Sequence, residues 1–183
     1  MASSTSERFR PLRRVEYDKL IQFGAFRDEK IELLQGVLVP MSPIGPQHSS
    51  AVQKLTAILV PALAGRAAVR IQSPFAALEI SEPEPDVAVV PTGDYDTDHP
   101  DRAYLVVEVA ESSFAIDGGV KQLLYAACQV PEYWIVNVVD RLIEVYTEPA
   151  NGSYARSQRY ERGQSLRLSS FPDLEIRVTD VMR

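Results

Sequence analysis

A carboxylate interrupts the apolar segment Tyr-Leu-Val-Val-Glu-Val-Ala that runs from Tyr104 to Ala110. The run predicts a central buried strand, and its Glu108 is flanked by valine on both sides. Burying an unpaired ionised carboxylate costs several kcal/mol, so such a group is normally paired, protonated or bound to a metal ion. Glu108 is therefore the first candidate for a functional residue.

A second acidic residue, Asp86, follows Pro85 at the start of the short apolar strand predicted from Asp86 to Val90. If this strand pairs beside the Glu108 strand, the two carboxylates lie within several ångströms of each other. Mg²⁺ prefers oxygen ligands, and the backbone carbonyl of Val109 would add a third. Such an ion polarises a phosphoryl oxygen and activates a bound water, so the pair predicts phosphodiester chemistry. Taken alone, Asp86 is an ordinary first residue of a strand.

Four further side chains are candidates for the same site. Lys121 lies at the margin of an apolar helix stripe, where its stem can pack while its amine reaches the sheet beside the attacking water. Tyr125 follows one helical turn later, as a packing residue whose hydroxyl touches the site. Glu32 either faces solvent from a hairpin or approaches the metal as an outer ligand. His48, at the start of a helix, is either an exposed capping residue or a group near the scissile phosphate.

Periodicity predicts the elements that position these residues. In the first half of the chain, apolar spacing indicates two helices, and Gln35-Gly36 indicates the turn of a hairpin. Strand patterns follow, and the segment after Glu108 has the strand, helix, strand order of a parallel crossover. The predicted elements are helices at 15–23, 46–64 and from Asp117 onward, a hairpin at 31–39, and strands at 69–72, 75–80, 86–90, 104–110, 133–136, 142–147, 154–160, 166–168 and 174–178.

Length and composition limit the class of protein. The 183 residues, 45% of them hydrophobic, predict one domain over 15–183 with a flexible N-terminus at 1–14. The longest apolar runs are shorter than the roughly 20 residues that span a bilayer. Cys128 is the one cysteine, and the N-terminus lacks the apolar core of a secretory signal, so a cytoplasmic protein is expected. The net charge of −6 argues against a general polyanion binder.

The order of these segments resembles the Uma-two-type restriction endonuclease family of the PD-(D/E)XK nuclease superfamily. The resemblance implies an α/β (α+β) restriction-endonuclease-like fold, with a mixed sheet flanked by helices and antiparallel hairpins at both ends. It rests on Glu32-Leu-Leu-Gln-Gly36, Met41-Ser-Pro43, His48, Pro85-Asp86-Val-Ala-Val, Leu105-Val-Val-Glu108-Val, Asp117 to Lys121, Tyr125 and Val130-Pro-Glu-Tyr-Trp-Ile-Val136.

The resemblance also implies roles for individual residues. Asp86 and Glu108 match the acidic residues that bind Mg²⁺ or Mn²⁺, and Glu32 matches an acidic residue of an early motif. The superfamily lysine usually stands two residues after the second acid, where this chain has Ala110. Relocation of that lysine to Lys121 on the next helix is a variation that the family is understood to use.

The leading hypothesis is a metal-dependent endonuclease that hydrolyses phosphodiester bonds of nucleic acid, with DNA as the expected substrate. The alternative is a non-catalytic nucleic-acid or protein-interaction module that retains the nuclease fold. A small-molecule hydrolase has little support, because the chain has no Gly-x-Ser-x-Gly motif. A homodimer is expected, because two-fold dimers are the commonest assembly and cutting both strands favours two active sites.

Overall fold

The computed structural model describes residues 10–111 and 117–182, apart from the side chains of 117 and 118. Most of the predicted flexible N-terminus lies outside the described residues. The helices are α1 (Arg14–Gln22), α2 (Pro46–Ala62), α3 (Gln122–Ala127) and α4 (Val178–Val181). The strands are β1 (Ile31–Leu34), β2 (Val37–Pro40), β3 (Ala68–Ile71), β4 (Val87–Val90), β5 (Leu105–Ala110), β6 (Glu132–Asn137), β7 (Leu142–Ala150), β8 (Ser153–Tyr160), β9 (Ser165–Leu168) and β10 (Phe171–Arg177).

A six-stranded mixed sheet in the order β3-β4-β5-β6-β7-β8 forms the centre of the described chain. Strands β5 and β6 run parallel, joined by the crossover that contains α3, and the other neighbouring pairs run antiparallel. Separate two-stranded hairpins, β1-β2 and β9-β10, lie near the two ends of the chain. The predicted fold class and the predicted parallel crossover are therefore confirmed.

The two faces of the sheet bury separate apolar cores. Alternation along β5 sends Leu105, Val107 and Val109 into the core beneath α2, together with Leu55 and Leu59 of that helix. Val106 and Ala110 enter the opposite core, beneath α3. Tyr104 precedes β5 and packs against the α2 core. Since both faces are covered, β5 is buried along its whole length, and Glu108 is buried with it.

The β1-β2 hairpin turns at Gln35 and Gly36, whose φ angles of 50° and 79° are those of a tight hairpin turn. A Cβ on Gly36 would lie 2.2 Å from the Pro11 Cβ, so the chain before α1 packs directly on this turn. The Leu12 N–H also donates to the Gly36 carbonyl. The hairpin is joined to the segment before β4, because Leu33 and Glu82 exchange backbone hydrogen bonds.

The predicted strand at 75–80 is wrong. Its residues make local or loop hydrogen bonds, such as Ala76 N–H to the Pro100 carbonyl, and among the described residues the only bridge from this segment joins Leu78 to Ser81. The physical reason lies in the segment with which it would pair. Pro83 and Pro85 have no N–H to donate to a ladder, so a regular strand pair cannot form there.

The crossover helix begins with a π-helical turn, Asp117–Lys121, before α3. The predicted apolar stripe is therefore only partly correct, because Leu123 is exposed whereas Tyr125 and Ala126 are fully buried. The wider turn changes which side chains of the following helix face the sheet.

Near the C-terminal end of the chain, β10 begins three residues earlier than predicted and is followed by the short helix α4. In the described chain, no helix is both long and apolar enough to cross a membrane.

Candidate active site

Two neighbouring strands bring the predicted carboxylates together. Asp86 immediately precedes β4, and Glu108 lies in β5, with Val87 paired to Val107 in the register of the two strands. Asp86 and Glu108 therefore occupy adjacent positions across the pair, and the two residues are only 8% and 4% exposed. The sequence predicted this pairing, and the structure places both residues beside one cavity.

The carboxylate of Asp86 is held by donors from three segments. Its Oδ2 accepts the backbone N–H of Val109 at 2.8 Å and lies 3.0 Å from Nε2 of His48. Its Oδ1 accepts a hydrogen bond from Gln72 Nε2 at 3.2 Å. Gln72 follows β3 and adopts a φ of 43°, which turns the chain out of the sheet beside Asp86. His48 therefore contacts Asp86 from the first turns of α2, and Gln72 is a site residue that sequence reasoning missed.

Lys121 connects the other two predicted acids. Its Nζ lies 3.1 Å from Glu32 Oε2 and 3.1 Å from Glu108 Oε1. All three side chains are at least 94% buried. An ammonium group at such a depth is stable only with paired charges, and here it also neutralises two carboxylates that would repel each other. Two positions were predicted for Glu32. The prediction that it faces solvent is wrong, because β1 turns this side chain toward Lys121.

Tyr125 lies behind the carboxylates rather than at the cavity surface. Its hydroxyl donates to Glu108 Oε1 at 2.8 Å, and the side chain is fully buried. Burial, followed by the negative charge of Glu108, raises the pKa of Tyr125 well above its usual value. The phenol therefore stays protonated and orients Glu108 through a hydrogen bond.

Glu84 is a further acidic residue that the sequence reasoning did not select. Its backbone N–H donates to Glu32 Oε2 at 3.2 Å, and its side chain lines the cavity. Burial, followed by repulsion from Glu32, raises the pKa of the Glu84 carboxyl. Its position two residues before Asp86 was the available signal, since residues two apart in an extended segment share a face.

The charged candidate residues line one cavity together with the loop that follows β2. Its described lining comprises Glu32, Glu84, Asp86, Glu108, Glu111, Lys30, Lys121, His48, Gln72, Val109, the Val39 and Pro40 end of β2, and Met41 to Ile44. Acidic groups outnumber basic ones, so the cavity attracts cations and repels anions unless a bound cation intervenes.

The donor atoms at this cavity fit a hard divalent cation. Asp86 and Glu108 carry carboxylate oxygens of the kind that such a cation prefers, and Val109 borders the same cavity. Within the described ranges, no three His, Cys, Asp or Glu side chains are grouped closely enough to form a complete metal cage. Mg²⁺ does not require one, because it is usually bound through one or two carboxylates and keeps several waters.

A second acidic group lies outside the cavity, where α1 packs against the segment before β4. Glu82 is only 1% exposed, and in the described chain neither of its carboxylate oxygens has a hydrogen-bond partner, although Asp18 of α1 lies close by. His99 Nε2 lies 3.9 Å from Glu82 Oε1, and Arg14 is also nearby. Burial, and next the charge of Asp18, raise the pKa of Glu82 to about 7.

A family model and solved structures match this chain. The family model Uma2, described as "Putative restriction endonuclease", matches residues 14–179. A solved structure described as "a putative nuclease belonging to DUF820 from Anabaena variabilis ATCC 29413" superimposes with a TM-score of 0.70 at 14% identity, covering 93% of this chain and 97% of that one. The type IIG restriction endonuclease BpuSI aligns over 62% of this chain and 14% of its own, at 14% identity and a TM-score of 0.39. No curated protein matches the sequence.

Proposed function

Because this chain belongs to the Uma2 family, as its sequence motifs indicated, we propose that it is a metal-dependent endonuclease that hydrolyses phosphodiester bonds of nucleic acid. The observation that carries this proposal is the meeting of Asp86, Glu108 and Lys121 at one cavity. These residues come from three separate elements. An apolar core is filled by apolar side chains, so packing alone does not explain two carboxylates and an ammonium group at this place.

Asp86, Glu108 and the Val109 carbonyl would hold Mg²⁺ or Mn²⁺. When bound, the ion would polarise a phosphoryl oxygen and activate a water molecule. Val109 N–H and Gln72 hold Asp86 in place, and Tyr125 does the same for Glu108. Fixed ligands lower the reorganisation needed during reaction, which is how a surrounding shell supports a metal site.

Lys121 supplies the positive charge of the site. Its ammonium group is held 3.1 Å from both Glu32 and Glu108, so its position is fixed without a ligand. From there it donates a hydrogen bond that orients the attacking water and stabilises charge that develops on the phosphoryl oxygens. Glu32 holds the lysine in place, and His48, which contacts Asp86 at the same cavity, would contact the substrate.

The test is cleavage of single-stranded and duplex DNA with Mg²⁺ or Mn²⁺ by the wild type and by Asp86→Asn, Glu108→Gln and Lys121→Ala. We expect each substitution to lower the rate, and Lys121→Ala to do so by about 10² to 10⁴. Glu144→Gln is the matched control, since Glu144 is a buried carboxylate of β7 that does not line this cavity. Cleavage that survives all three site substitutions would reject this site.

A non-catalytic interaction module is the second candidate. The observation that favours it is the ion-pair arrangement itself, in which Lys121 already satisfies Glu32 and Glu108. Calorimetric titration separates the two functions. Measurable Mn²⁺ or Mg²⁺ affinity that Asp86→Asn removes supports the nuclease, whereas a folded protein without such affinity supports the module.

The assembly, location and domain limits belong to the same proposal. We expect a cytoplasmic homodimer in which each copy of the domain at 15–183 presents one site, so that two sites can act on one nucleic acid. Sedimentation equilibrium of the purified chain measures the assembly directly, and a monomer at concentrations that support cleavage would contradict it.

A further inference from the structure

The reactive groups of the candidate site lie below the protein surface. Glu32 and Glu108 are each 4% exposed, and Asp86 is 8% exposed. A phosphodiester must therefore enter the cavity to reach them, because the carboxylates do not project outward.

A short strap formed by residues 41–45 borders this cavity. At its start, the Met41 N–H donates to the Lys30 carbonyl at 2.9 Å. At its end, Gly45 packs so closely on Glu111 that an added Cβ would lie 2.3 Å from Glu111 Oε2. The strap thus runs from the end of β2 to a contact with the residue that follows β5, and Met41, Ser42, Pro43 and Ile44 line the cavity.

The strap is also stiff. Pro43 lies within it, and Pro40 and Pro46 flank it, so the φ angles of three residues over this stretch are fixed. Ile44 is 40% exposed although it lines the cavity, so the mouth presents an apolar edge to an incoming ligand. Such an edge suits contact with unstacked bases and sugars better than contact with a phosphate backbone.

The charge of the cavity also disfavours a ligand with closely spaced phosphates. Its described lining has five carboxylates and two lysines, and Lys121 is already paired with Glu32 and Glu108. A duplex carries one negative charge per roughly 1.7 Å of helix axis, and proteins that bind it tightly neutralise about 6 to 10 phosphates. The cavity wall repels so dense an array of charge.

On the premise that the chain is the nuclease proposed above, we propose that its substrate is an unpaired nucleic-acid strand, such as a single-stranded segment, a flap or a frayed end. An unpaired strand bends freely, so one phosphodiester can pass beneath the strap to Asp86. A duplex is stiff over about 150 base pairs, and each of its backbones is accompanied by the partner strand. A duplex therefore cannot bring one of its phosphodiesters into the recessed cavity.

The first measurement is binding without cleavage. The full-length protein is titrated, with Ca²⁺ in place of Mg²⁺ as the oxygen-binding cation, into a fluorescein-labelled oligothymidylate and into a hairpin duplex with the same number of nucleotides, and anisotropy is recorded. We expect the unpaired strand to bind at least about tenfold more tightly. Equal binding, tighter binding of the duplex, or binding of neither probe overturns the proposal.

Strap variants test the structural cause. Pro43→Gly loosens the strap and Ile44→Ala reduces its apolar edge, so we expect each to shrink the preference for the unpaired strand severalfold. Pro172→Gly, an exposed proline of β10, is the control and should leave the preference unchanged. Thermal unfolding confirms that each variant is folded, and a preference that persists in both folded strap variants overturns the role of the strap.

Cleavage assays on the same probes separate this inference from the proposed function. Selective binding of the unpaired strand, with no cleavage in Mg²⁺ or Mn²⁺, rejects the nuclease but supports the substrate class. Cleavage of the duplex as fast as of the unpaired strand, abolished by Asp86→Asn, supports the nuclease and overturns the substrate class.

Discussion

Glu82 makes the stability of this protein depend on pH in a direction opposite to that of most carboxylates. Its carboxyl is 1% exposed, and the surrounding charged groups are Asp18 and Arg14 of α1, the neighbouring Glu84, and His99. Burial is the main cause that raises the pKa of Glu82 from 4.5 to about 7. Because the folded state binds this proton more tightly than the unfolded chain, Glu82 stabilises the fold fully below pH 4.5, and that stabilisation is lost as the pH rises through about 7.

The size of the effect follows from the shift. A pKa difference of one unit corresponds to about 1.4 kcal/mol, so the shift of Glu82 corresponds to about 3 kcal/mol. Replacing Glu82 with Gln keeps the shape of the side chain and removes its titration. We therefore expect the wild type to lose about 3 kcal/mol of unfolding free energy relative to Glu82→Gln between pH 4.5 and about pH 8.

Urea unfolding, followed by the fluorescence of the buried Trp134, measures this difference at a series of pH values. Glu79→Gln is the matched control, because Glu79 is an exposed glutamate of the same segment. We expect its curve to run parallel to that of the wild type. Asp18→Asn should reduce the pH dependence in part, since the charge of Asp18 is the second cause of the shift. Parallel curves for the wild type and Glu82→Gln would refute the reasoning.

Three further outcomes follow from the described contacts. Lys121→Met should destabilise the fold by about 3 to 5 kcal/mol in urea unfolding, because it leaves buried carboxylates unpaired, and adding Glu108→Gln should recover part of the loss. Failure of the second change to recover stability would contradict this pairing. The thiol of Cys128, whose pKa burial raises to about 12, should react with a disulfide reagent far more slowly in the folded than in the urea-unfolded protein. Gly36→Ala should lower the midpoint of thermal unfolding, because its φ is +79° and the new Cβ would meet Pro11, whereas Gly163→Ala, with a φ of +90° and open space, should cost less.

The parts of the site that follow from local pattern could be predicted from the sequence. Glu108 was identifiable because burying a charge inside a valine-rich strand costs free energy in any fold. Ala110, at the usual position of the superfamily lysine, directed attention to Lys121 on the next helix. The structure brings Lys121 to Glu108 as that reasoning required. Whether these residues catalyse a reaction stays a prediction.

The parts that depend on distant segments could not be predicted in the same way. Gln72 contacts Asp86 because β3 ends beside β4, and no spacing in the sequence indicates that contact. The π-helical turn before α3 also has no pattern of its own, and it moved Leu123 out to solvent. The error at 75–80 had a local cause, since alternation was given more weight than the prolines of the opposing segment.

Because Lys121 lies in the crossover between β5 and β6, its position in the sequence affects the order in which parts of the protein can fold during synthesis. During synthesis, Glu32, Glu84, Asp86 and Glu108 all leave the ribosome before the lysine that neutralises part of their charge. Until Lys121 follows, closing the β1-β2 hairpin over Glu108 would bury like charges together, which is unfavourable. The growing chain therefore has an electrostatic reason to leave this region open until the crossover has been translated and docked.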